Sequence, residues 1–101
     1  MNSTVTPEKL EHYFSVTKEA LGQAKLHLNA AQQASAADFL DMATRYYDDA
    51  LYFYRQKNDL VLAFAALNYA HGWLDAGARI GLFKVKDSRL FTVDGEHSSL
   101  L

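Results

Sequence analysis

Cysteine is absent from the 101 residues, and proline occurs once. Without cysteine there is no disulfide, no thiol nucleophile and no thiolate-bound metal, so the core must hold the chain together unaided. With Pro7 as the only proline, nothing breaks a helical pattern after the first turn. Positive charge is not in excess either. Ten Lys plus Arg against twelve Asp plus Glu leave a formal charge of −2, so no overall field draws the chain to phosphate backbones and nucleic acid is not an expected partner. No apolar run reaches the roughly 18 residues of a membrane span, since Leu60 to Leu74 is interrupted by Asn68 and His71. The opening MNSTVTPEKLEHYFS carries neither a basic leader nor an apolar stretch. The expectation is therefore a cytoplasmic protein without a membrane partner, in which Asn2-Ser3-Thr4 meets no glycosylation route. Gly-x-Gly-x-x-Gly, the glycine-lysine phosphate loop and Gly-x-Ser-x-Gly are all missing, which leaves nucleotide-fold and hydrolase chemistry unsupported.

What is present is helical periodicity in a chain of one-domain length. Thr6-Pro7 reads as an N-cap and first helical position, and Leu10, Phe14, Thr17, Leu21, Ala24, Leu28 and Ala31 step by four and three along one stripe. A helix over about 7–31 follows. Ser35 with Asp38 three residues later marks a second start, and a helix over about 36–56 places Phe39, Met42, Tyr46, Ala50 and Phe53 inward, widened by Ala43, Tyr47 and Tyr54, with Asp38, Asp41, Arg45, Asp48, Asp49 and Arg55 opposite. Asn58-Asp59 supplies a turn and cap, and Gly81 a stop, for a third helix over about 59–80. Short links favour an all-α, three-helix, up-and-down antiparallel bundle spanning residues 1–101 as one domain. The last twenty residues read as an extended arm over 82–96, with Leu90-Phe91-Thr92-Val93 as its strand-like part before the Asp94-Gly95 turn, and a loose end over 97–101. A hairpin about Asp94-Gly95 is the alternative for the arm.

The third helix is too apolar for its place. One arc, Leu60, Ala63, Phe64, Leu67, His71, Leu74 and Ala78, is assigned to the core, and Asn68, Asp75 and Arg79 with Gly72 form a polar stripe beside it. Beyond the stripe lies a second apolar arc of Leu62, Tyr69, Trp73 and Ile80 with Ala65, Ala66 and Ala76. Ala66, Ala70 and Gly77 are small enough to admit a close helix neighbour. The second arc requires a cover, either the arm through Leu82, Phe83, Val85, Leu90 and Phe91, or another subunit anchored on Tyr69 and Trp73.

Candidate chemistry is sparse. His71 and Asp75, four apart, form half of an acid-base pair, and with Asn68 and Arg79 they outline a candidate ligand-binding groove, whose alternative is a histidine merely satisfied by Asp75 or a tyrosine. Glu8, Glu11 and His12 echo part of a di-iron Glu-x-x-His set, but the second helix has no glutamate to complete one, so no metal and no cofactor is expected. His27 and His97 have no helically spaced carboxylate. Tyr46, Tyr47 and Tyr54 are assigned to core or rim, and Tyr52 to the exposed charged face, too acidic for base stacking.

The run Ala66-Leu67-Asn68-Tyr69-Ala70-His71-Gly72-Trp73-Leu74-Asp75-Ala76-Gly77-Ala78-Arg79-Ile80-Gly81-Leu82-Phe83 resembles the signature of the family known as domain of unknown function 357, most specifically in Tyr-Ala-x-Gly-Trp-Leu-Asp-Ala-Gly-x-Arg-x-Gly. The resemblance extends more loosely over the two preceding helices and the Leu-Phe-Thr patch. It implies a short helical up-and-down bundle of the archaeal cytoplasm and brings no activity, cofactor or catalytic residue. The expected function is a non-enzymatic interaction module, working as a homodimer or on an unidentified protein partner through Leu62, Tyr69, Trp73 and Ile80. The alternative is a small-molecule-binding protein or enzyme using Asn68, His71, Asp75 and Arg79.

Overall fold

The computed structural model describes residues 4–91. Helix α1 spans Pro7–Leu26, a 3₁₀ turn at Ala30–Gln32 leads directly into α2 over Gln33–Arg55, and α3 spans Leu60–Arg79. Thr6 caps α1 by accepting a hydrogen bond from the Lys9 backbone N–H at 3.2 Å, and Asp59 caps α3 by accepting from that of Leu62 at 3.0 Å. Asn58, with φ of 50°, and Gly81, with φ of 83°, take the left-handed turns at the two ends of α3.

Ring pairs and hydrogen bonds fix the directions. Phe39 meets Trp73 and Tyr46 meets Tyr69, so α2 and α3 run antiparallel; Tyr13 bonds Asn68 and Thr17 meets His71, so α1 and α3 run parallel. The result is the up-down-up three-helix bundle. Its most extensive contact is between α2 and α3. Ala36, Ala43 and Ala50, one every seven residues, are fully buried on α2, and Ala63, Ala66, Ala70 and Gly77 are buried on α3. Side chains this small let the two backbones approach closely, and the larger Phe39, Tyr46 and Phe53 then pack on the flank. The core of α3 is accordingly centred on its small residues. Phe64, assigned inward by periodicity, is 37% exposed and packs at a tilt on Tyr13 with ring centroids 5.6 Å apart, while Ala63, Ala66, Ala70 and Gly77 take the buried centre of the helix.

The first helix ends five residues before the position its apolar stripe predicts (31 − 26 = 5), and α2 starts at Gln33, three residues before Ala36 (36 − 33 = 3), with Ser35 inside it rather than capping it. The reason is tertiary. Leu28 forms an antiparallel bridge with Phe83, Asn29 N–H donates to the Leu82 carbonyl at 2.8 Å, Lys84 N–H donates to that of His27 at 2.8 Å, and the Asn29 amide donates to the Gly81 carbonyl at 2.9 Å. These bonds to the arm replace the helical ones that residues 27–29 give up.

The arm bends at Leu82, makes a tight turn in which the Val85 N–H donates to the Phe83 carbonyl at 3.0 Å, and turns again after Asp87. Leu90 and Phe91 N–H groups both donate to the Asp87 carbonyl at 3.0 Å, so the described half of the expected Leu-Phe-Thr-Val strand is a turn held by Asp87. Thr92, Val93, the Asp94-Gly95 hairpin and the 97–101 end lie outside the described residues. The buried Leu82, Phe83, Leu90 and Phe91 cluster with Ala20, Ala24, Ala36, Ala43 and Leu74. A second cluster gathers Leu10, Phe14, Ala50, Ala63, Ala66 and Leu67. The arm therefore completes the core at the end where α1 finishes and α2 begins, while the other end is closed by the helices with Val5, just before α1, packed against them. The described residues form a slab of 40 × 28 × 15 Å with a radius of gyration of 13.6 Å, above the roughly 12 Å of an equant domain of that length.

Candidate functional site

With the described part of the arm, residues 82–91, packed against Leu74, no other described residue covers the outer side of α3. Tyr69 is 62% exposed, Ile80 59% and Leu62 47%, and Ala65, Gly72 and Ala76 are exposed between them. At 100° per residue these six fall within one arc, so they form a stripe along the roughly 30 Å length of the helix. In its middle is an open groove of about 490 Å³ lined by Phe39, Asn68, Tyr69, Gly72, Trp73 and Ala76. Gly72 and Ala76 are its floor because they have little or no side chain. Tyr69 is held as one wall by its stacked contact with Tyr46, centroids 5.2 Å apart, and Trp73 as the other by an edge contact with Phe39 at 4.9 Å.

The four interface residues named from sequence separate into two kinds. Leu62, Tyr69 and Ile80 are exposed on the stripe, whereas Trp73 is half-buried against Phe39 and the arm-side core. Sequence reasoning missed Phe39 as a groove wall, since it belongs to α2, and missed Gly72 as the floor by placing it on the polar stripe. The readable signal was the spacing of small residues between aromatics in Tyr69-Ala70-His71-Gly72-Trp73-Leu74-Asp75-Ala76.

The polar set is arranged differently. Of Asn68, His71, Asp75 and Arg79, only Asn68 lines the groove. Its side-chain oxygen accepts from the Tyr13 hydroxyl at 2.9 Å. His71 sits on the opposite border, facing α1 and the arm. Its Nε2 lies 2.8 Å from the Leu90 carbonyl, which can only accept, so Nε2 carries the proton in the neutral ring and the Thr17 hydroxyl donates to Nδ1 at 3.3 Å. Asp75 lies 3.9 Å from Nε2, and Arg79 is exposed near the end of α3. His71 thus joins three parts of the chain, α1, α3 and the arm.

Tyr13 occupies the space between these two regions, packing on Phe64 and His71. Burial, and secondarily the negative charge of Asp75, push its hydroxyl up from 10.0 to about 12. The folded protein therefore holds this proton more tightly than the unfolded chain does. That stability is fully present below pH 10 and is lost as the pH rises from about 10 to about 12. Denaturant unfolding at pH 9 and pH 11.5 is expected to show this loss, and Tyr13→Phe to make the decline shallower; the Tyr47 and Tyr54 hydroxyls are raised as well, Tyr47 by burial and Tyr54 by its hydrogen bond to Glu11.

Among the described residues no group of three His, Asp or Glu side chains converges as a metal site would require. No helix of the described residues is long and apolar enough to cross a membrane. A family model described as "Protein of unknown function (DUF357)" matches residues 12–83, which take in all of α2 and α3, most of α1 and the first arm residues. The chain belongs to the DUF357 family. No curated protein and no solved structure matches it. In this DUF357 chain the matched segment ends at Phe83, the residue that pairs with Leu28 and enters the core.

Proposed function

We propose that this DUF357 protein is a protein-interaction module whose docking surface is the outer face of α3. The observation that supports it is an uncharged apolar stripe, Leu62, Tyr69, Gly72, Ala76 and Ile80, that no described residue covers even though the described part of the arm is folded onto the bundle. An aromatic-walled groove with a floor of small residues accepts an apolar side chain from an opposing helix, and Asn68 at its edge supplies the polar rim. The partner is therefore a protein presenting an apolar helix face.

Residues that serve docking rather than the fold can be replaced without unfolding. Leu62→Ser combined with Ile80→Ser is expected to leave stability within about 0.5 kcal/mol per site, because both side chains are about half exposed already. The same variant is expected to lower binding of an environment-sensitive apolar dye to the native state. Loss of several kcal/mol, with dye binding unchanged, would assign the stripe to the core and refute the proposal.

A further inference from the structure

Resting on that reading of α3, we infer that the occupant of its outer face is the same face of a second copy, paired about a twofold axis so that Tyr69 of each protomer fills the other's groove over Gly72. A twofold contact requires one surface that carries both halves of the fit. Here the projecting group and the recess lie one helical turn apart: Tyr69 is 62% exposed, and the floor beside it is Gly72 and Ala76. Tyr69 is already held by stacking on Tyr46, so little side-chain freedom is lost when it inserts.

Charge allows the pairing. The stripe has no ionisable group except the tyrosine hydroxyl, so two copies bring no like charges together at the axis, where such pairs are costly. Arg79 lies at one end of α3, and an antiparallel crossing between Tyr69 and Gly72 carries the two arginines to opposite ends of the contact. A partner selected by electrostatics would leave a charged counterpart on this face, and there is none at its centre.

Area sets the extent of the contact. A stable interface covers roughly 800 Å² per partner. The stripe on α3 alone, about 30 Å by 10 Å, provides roughly 300 Å². The rest of the contact has to come from surface beside α3, where Tyr46 of α2 and Trp73 are still partly exposed.

Gly72 provides the test, because a β-carbon placed there meets nothing within 4 Å, so a larger residue fills the groove without disturbing the bundle. Light scattering of the full chain over a concentration series from 1 to 500 µM is expected to show a species of twice the chain mass. Gly72→Leu, which also removes a helix-disfavouring glycine, is expected to keep the helical circular-dichroism signal and to raise the dimer dissociation constant at least tenfold; Tyr69→Ser, which gives up the stacking on Tyr46, is expected to raise it likewise. A dimer indifferent to both variants overturns the twofold pairing. A monomer at every concentration overturns it too, and anilinonaphthalene sulfonate then separates the two ideas. Dye bound by that monomer and lost in Gly72→Leu leaves α3 as a docking face for a different chain, whereas no dye binding removes the docking reading with the dimer.

Discussion

Phe83→Ala is expected to cost about 3 to 5 kcal/mol, a large share of the 5 to 15 kcal/mol that hold a domain of this size folded. Phe83 is 1% exposed and lies where the arm, α1 and α3 meet. Its ring rests directly on Gly77, where a β-carbon would overlap it, and its chain neighbour Leu82 donates to the Gly77 carbonyl at 2.8 Å. Gly77→Ala by itself is therefore expected to destabilise by about 1 to 3 kcal/mol, since the ring cannot move away from a packed site. In the Phe83→Ala background the sign reverses. With the ring gone, alanine meets open space and gains up to about 1 kcal/mol of helix propensity over glycine. Denaturant unfolding of the two single variants and the double variant forms the cycle, and additive energies would show that Phe83 does not seat on Gly77.

Ala43→Leu is the second large effect, expected to destabilise by about 3 kcal/mol or more. Ala43 is fully buried midway along α2, in the cluster that also holds Ala20 and Ala24 of α1 and Leu74 of α3. A leucine there has no direction in which to relax without moving the helices apart, and separating them also disturbs the Phe39–Trp73 and Tyr46–Tyr69 contacts on the flank. Ala37→Leu, on the exposed side of the same helix, is the control and is expected to stay within about 0.5 kcal/mol. Equal melting temperatures for the two variants would mean that the cluster is looser than its burial indicates.

The two expectations concern features that sequence reading treats unequally. The caps at Thr6 and Asp59, the stop at Gly81 and the exposure of Tyr52 follow from local rules, and each is found in the structure. The centre of the helix interfaces was harder to read. Periodicity weights large apolar residues, so Phe64 and Phe39 drew the assignment while Ala36, Ala43, Ala63 and Ala70, which carry little hydrophobic weight each, are fully buried, and Gly77 lies under the Phe83 ring of the arm. The early end of α1 was equally illegible, since the groups competing for the backbone of residues 27–29 lie more than fifty residues away.

For the candidate site, the second apolar arc of α3 was visible as an excess of apolar residues, and Tyr69, Leu62 and Ile80 are exposed on it. Whether the arm covers them was not visible, because the arm's own sequence is compatible with either side of α3. The structure places it against Leu74, Ala20 and Ala24 instead, with His71 bonded to Leu90. Composition, caps and periodicity by themselves determined three helices, their order and an apolar surplus on the third, since each depends on neighbours within a turn or two. Only the tertiary structure decided which small residues are buried between the helices, which side of α3 the described arm occupies, and hence which apolar residues of α3 stay exposed, since all three depend on long-range packing that no local pattern encodes.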